Sequence, residues 1–170
     1  MHQRANYTRP RRPARKDEAP PHNIEVEERL LACMMRDNDA IDEVAGAVGV
    51  DDLFRDSHQI LFREMLALHA KGDAFDMITL GDHLECQGVI DRVGGRPALS
   101  HLAETVMFHS LEVEFYARIV AAHALRRRLI QIGTEAIDVS LAQDETPEDL
   151  AASIESKIAD ALTRHVKASE

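Results

Sequence analysis

A chain of 170 residues, 45% apolar but only 4% aromatic and without tryptophan, has room for one compact domain built on Leu, Ile, Val, Ala and Met. That palette favours helices over strands. No apolar run reaches the roughly 20 residues of a bilayer span and no apolar signal core is visible, which excludes a membrane span and leads us to expect a cytoplasmic protein. Cys33 and Cys86, without CxxC spacing, read as buried thiols in a reducing compartment.

The net charge of −10 hides an asymmetry. Residues 1–16 carry Arg4, Arg9, Arg11, Arg12, Arg15 and Lys16 with no acid, and the remaining 14 basic residues face 30 acids, leaving −16 on residues 17–170. We expect residues 1–21 to form a disordered basic tail. It reads either as a solubilising extension or as an arm for DNA, RNA or an acidic protein.

From Pro21 onward the pattern is helical. "NIEVEERLLACMM" opens with Asn23 as N-cap and Glu25 and Glu27 in the first turn, with Leu30, Leu31, Met34 and Met35 on one face. "DNDAIDEVAGAVG" predicts a short helix ended by Gly49. "DSHQILFREMLALHAKG" aligns Ile60, Leu61, Met65 and Leu68 and stops at Gly72. "DMITLGDHLECQG" starts at Asp76 or Thr79, turns Leu80 and Leu84 inward and ends at Gly88. "VGGRPALSHL" is a turn feeding a helix, with Pro97 in its first turn.

A long run from Leu111 to Val139, interrupted only by Gly133, then meets the polar turn "AQDE". Thr146 and Pro147 open a last helix in which Leu150, Ile154, Ile158 and Leu162 recur four apart. The facing run offers Ile119, Val120, Leu125, Leu129, Ile132 and Ile137. The pattern predicts an all-α protein with a globular part over residues 22–110 and a long antiparallel hairpin over 111–167, whose stripes need a partner.

No catalytic centre is visible. Gly94-Gly95 lacks the Lys and Ser/Thr of a phosphate loop and the strand and spacing of a dinucleotide site. Nine histidines are scattered without a ligand motif, and His101 with Glu104 is too small a pair for a metal. No G-x-S-x-G elbow occurs, and the carboxylates look like solvated helix faces. Arg126, Arg127 and Arg128 point in different directions around a helix, so they could touch phosphate or pair with a local acid. We expect no catalytic residue, no metal and no cofactor.

The ordered set Pro21, Asn23, Ile24, Glu25, Glu27; Asp52, Leu53, Phe54, His58; Phe75, Asp76, Thr79, Leu80; Gly94, Gly95, Leu99; and Tyr116, Ala117, Val120, Arg127, Arg128, Leu129, Ile130 resembles the N-terminal domain of bacterial replicative DNA helicases of the DnaB type. The likeness runs over residues 21 to 166. Three features depart from the family pattern: Val26 between the acids, Cys33 where glycine is usual, and "MFHSLEVE" in place of the turn before the hairpin. The family's ATPase domain and linker helix have no counterpart in these residues.

The resemblance implies a collar domain of the primosome, without a motor of its own. Its hairpin would oligomerise through Leu125, Leu129, Ile132, Leu150, Ile154, Ile158 and Leu162. Expected partners are further copies of the chain, replicative helicase subunits, and primase or a helicase loader. Two alternatives stand beside it: an accessory nucleic-acid-binding protein acting through its arginine tail, and an enzyme with a divergent site.

Overall fold

The computed structural model describes residues 19–105 and 113–167. Among them every long element is an α-helix: α1 (Ile24–Arg36), α2 (Ala40–Ala47), α3 (Asp56–Ala70), α4 (Met77–Cys86), α5 (Gly95–Thr105), α6 (Val113–Ala142) and α7 (Pro147–Lys167). Short 3-10 turns lie at Val50–Asp52 and Ile90–Val93. The all-α class and the long antiparallel hairpin, α6 and α7, are as the pattern predicts. The basic tail and the expected start of the hairpin at Leu111 lie outside the described residues.

α1 is the central rod. The Asn23 side chain accepts the Val26 N–H at 3.2 Å, satisfying one of the donors every helix start leaves open. Its apolar residues are buried on more than the one expected face: Val26, Ala32 and Cys33 join Leu30, Leu31, Met34 and Met35. A helix buried nearly all round must be surrounded, and α3, α5 and α6 pack against it. Phe62 and Met65 of α3, Leu80 and Leu84 of α4, and Leu99 of α5 fill the core around it.

Local signals set most boundaries. Asp76, not Thr79, caps α4, its carboxylate accepting the Ile78 and Thr79 N–H groups at 2.9 Å. Gly94 and Gly95 both have positive φ, 95° and 73°, a conformation that side chains with a Cβ resist; they turn the chain directly into α5. At Gly81 an added Cβ would lie 3.2 Å from Arg96 and 3.4 Å from Leu99, so this glycine lets α4 and α5 touch. Arg96 then clamps the pair, reaching Glu85 at 2.8 Å and Asp82 at 2.5 Å.

Three expectations are corrected. Gly49 does not end α2, which closes at Ala47; Gly49 has a φ of −94° and heads the next 3-10 turn. Cys86 is exposed, because it falls in the last turn of α4 on the side away from Leu80 and Leu84, and only Cys33 is buried. Gly133 does not interrupt α6, which runs through it as continuous helix to Ala142. A lone glycine costs about 1 kcal/mol in a helix, too little to break one of 30 residues.

α6 has two parts. Val113, Ala117, Val120, Ala121 and Ala124 are buried in the body, and no later residue of α6 is. The remainder leaves the body and pairs with α7. Gln143, with φ 57°, turns the chain, and the Thr146 hydroxyl caps α7 by accepting the Asp149 N–H at 3.2 Å. Thr146→Ala should therefore cost the hairpin about 1 kcal/mol. Hydrogen exchange should show faster opening in the first turn of α7, with protection of α1 and α3 unchanged.

Candidate functional site: an anchored hairpin with an open apolar face

The root of the hairpin is a polar joint. Asp52 closes the 3-10 turn before α3, and its Oδ2 accepts the Gly49 N–H at 2.9 Å. Its Oδ1 pairs with Arg128, and its backbone carbonyl accepts from Arg127. Arg127 also donates to the Pro21 carbonyl at 2.9 Å. The Phe54 ring lies 5.7 Å from the Arg127 guanidinium and stacks on the His22 ring at 4.1 Å, nearly parallel. Two neighbouring arginines of α6 thus grip the entry to α1 and the entry to α3 together. They are engaged in holding the hairpin to the body, so a phosphate contact by the full Arg126–Arg128 run does not fit; Arg126 alone is exposed.

Behind Phe54 sits a buried carboxylate. Glu27 is 2% exposed, although its place in the first turn of α1 suggested a solvated acid. Its oxygens accept from the Phe54 N–H at 2.8 Å, the Arg55 N–H at 3.5 Å and His58 Nδ1 at 2.8 Å. Burial pushes its pKa up, but the His58 hydrogen bond, the Phe54 N–H and the charge of His58 outweigh that and hold it below the ordinary value. Arg55, at the N-terminal end of α3, makes no side-chain cap, so an acid from another helix takes that place. Sequence reasoning missed this pair. The available signal was His58 in the first turn of α3, where a helix dipole disfavours a cation unless an acid answers it.

Two other histidines are paired likewise: His69 with Asp42 and His83 with Glu64, each at 2.8 Å. His101 and Glu104 are exposed. Among the described residues no group of three metal-ligating side chains converges.

The expected interface residues divide. Ile132, Leu150 and Ile154 are half-buried between α6 and α7 beside Val139, and Lys157 pairs with Glu135 along one edge. Leu125 is half-buried as well. Leu129, Ile158 and Leu162 remain open, at 41%, 36% and 46% exposure. The expected single stripe on α7 divides because steps of four residues advance about 400°, drifting some 40° each time. Leu150 and Ile154 therefore face α6, while Ile158 and Leu162 rotate off it and Ala161 takes the inner place. Ile137, counted among the apolar residues of the run, is exposed at 62% on the far side of α6 from Ile132, together with Ile130 at 54% and Leu141, which the sequence reading missed, at 77%. Among the described residues these apolar side chains of α6 and α7 stand uncovered.

Residues 19–122 match the family model described as "DnaB-like helicase N terminal domain". The chain is 33% identical over 126 residues to the replicative DNA helicase DnaB of Mycobacterium leprae, covering 74% of this chain and 21% of that protein. Across three curated replicative helicases that it resembles, it spans between 21% and 32% of their length. The crystal structure of the N-terminal domain of DnaB helicase from Mycobacterium tuberculosis superposes with a TM-score of 0.77 at 30% identity, over 84% of this chain and 99% of that one. A DnaB-like replicative helicase whose structure was described with its interactions with primase shares the fold at a TM-score of 0.68, with 19% identity, over 80% of this chain and 31% of that one.

The depressed pKa of Glu27 makes the joint acid-sensitive. Its contribution to stability is complete above the ordinary carboxylate value of 4.5 and is lost as pH falls through its lower folded value. Glu27→Gln should remove that contribution and leave His58 without its carboxylate, costing about 3–5 kcal/mol at pH 7. In urea melts across pH 3–7 the variant should show a flatter acid limb than the wild type.

Proposed function

Because the chain belongs to the DnaB-like helicase N-terminal domain family, we propose that it serves DNA replication as a collar module, self-associating through its hairpin and recruiting a replisome partner such as primase or a helicase loader. The observation that carries this reading is the open apolar surface on a rigidly anchored hairpin. Exposed isoleucines and leucines on an arm of this length mark a protein interface, whereas scattered single ones would not. The grip of Arg127 and Arg128 on Asp52 holds the arm at a set angle, which a repeating assembly requires. We assign no ATP turnover to these residues.

Leu162 is 46% exposed, so Leu162→Asp leaves the fold intact and tests the surface directly. Sedimentation equilibrium should show the wild type associating with rising concentration. The variant should stay monomeric at the same concentrations with unchanged helicity. A wild type that remains a monomer at high concentration would remove the self-association reading.

The charge asymmetry favours a second reading alongside the first. Arg4, Arg9, Arg11, Arg12, Arg15 and Lys16 form a counterion-releasing arm for nucleic acid, and the −16 on the rest of the chain opposes it. Binding to duplex DNA should then be weak and sequence-independent. The slope of log K against log salt should be shallower than about −5, the limit for six phosphates at about −0.9 each. Deleting residues 1–16 should abolish it while leaving oligomer size unchanged; binding that survives the deletion would refute the arm.

A further inference from the structure

Where α6 leaves the body it carries positive charge that the neighbouring acids do not answer. Arg127 donates to two backbone carbonyls, those of Pro21 and Asp52, which hold its guanidinium in place without neutralising it. Arg126 beside it is exposed and makes no ion pair among the described residues. His123 stands three positions before Arg126, on the same side of the helix. Its ring is half-buried, and its Nδ1 is enclosed with no hydrogen-bond partner. Burial pushes the His123 pKa down, Arg126, Arg127 and His22 push it further, and Glu27 opposes them. The acids at hand are committed elsewhere: Glu25 to Arg29 at 2.9 Å, Glu28 to Arg55 at 3.5 Å, Glu27 to His58 at 2.8 Å, and Asp52 to Arg128. The basic tail joins the body at this same place, since Arg127 holds Pro21 and His22 stacks on Phe54.

Resting on the reading of residues 1–16 as a nucleic-acid arm, we propose that the same nucleic acid lands on the body at this root of α6, with Arg126 and His123 meeting a backbone phosphate. Asp17 and Glu18 interrupt the positive run after Lys16, so the track needs cations of the body to continue. The chain from Lys16 to Pro21 spans at most about 18 Å. A duplex presents a phosphate about every 3.4 Å along each strand, roughly five over that distance, so one nucleic acid meets both the tail and the root. An acidic peptide has no such enforced spacing. A phosphate at the root supplies the negative charge that His123 lacks, and it favours the protonated ring. The −16 carried by residues 17–170 keeps nucleic acid off the rest of the body, which confines the landing to this place.

The test uses the full chain and a fluorescently labelled DNA duplex, read by anisotropy over a range of salt. Arg126→Ala, at an exposed site, should weaken binding at least about threefold and make the slope of log K against log salt shallower by about 0.9, the share of one phosphate. In NMR spectra of the imidazole groups at neutral pH, adding the duplex should move His123 toward its protonated form and leave His69, His83 and His101 in place. If deleting residues 1–16 abolishes binding while Arg126→Ala changes neither affinity nor slope, the tail stands and the landing site falls. If the deletion leaves affinity unchanged, the arm reading on which the proposal rests falls instead. Poly-glutamate that binds more tightly than the duplex, with the same loss in Arg126→Ala, would overturn the assignment to nucleic acid in favour of an acidic protein.

Discussion

A carboxylate taken out of water must be answered by donors, and Glu27 is answered by three. That requirement fixes the step between the 3-10 turn and α3. Two backbone N–H groups, those of Phe54 and Arg55, and the ring of His58 can reach Glu27 only when α1 and α3 sit in one relation. The Phe54 ring is thereby held where His22 stacks on it and Arg127 covers it. Arg127 and Arg128 can then close on Asp52 and Pro21. The hairpin's attachment to the body thus depends on an acid that lies on neither of its helices. Losing one partner of such a buried set is costly because the others remain buried without an answer.

The same chain builds a body that is complete and an arm that is not. The body buries residues of α1 through α6 around one core. In the arm, Ile132, Leu150 and Ile154 are only half covered, and Ala161 is the buried residue of α7 among those described. Two helices alone cannot surround an apolar stripe, so the outer side of α6 and the rotated end of the α7 stripe are left exposed. The cap at Thr146 and the ion pair of Lys157 with Glu135 hold the two helices together, each at modest energy on an exposed site. On the function proposed above, the body supplies the mount and the exposed faces supply the contacts.

Helix starts and stops were legible in the residues because they rest on local chemistry. Asn23, Asp76 and Thr146 cap, Pro147 begins a helix, and Gly94 with Gly95 turns the chain, each through atoms within a few positions. The heptad-like apolar recurrences gave the all-α class, and the ordered motif set gave the family. Gly49 and Gly133 misled because a glycine permits a break without requiring one, and the neighbours decide.

What the tertiary structure alone decided is which charged residue is buried and which apolar residue is open. Glu27, Glu25 and Glu28 are alike in one dimension; the backbone N–H groups of Phe54 and Arg55 and the His58 Nδ1, some 30 positions away, bury Glu27, while Glu28 meets only the Arg55 side chain at 3.5 Å and His58 Nε2 at 4.0 Å. Leu150 and Leu162 are likewise equal members of one spacing until the helix winds 3.6 residues per turn and carries Leu162 off the face that meets α6. Local pattern determines what a segment can become, since propensity and capping act over a few bonds. Burial is a relation between segments, and it exists only once they have packed.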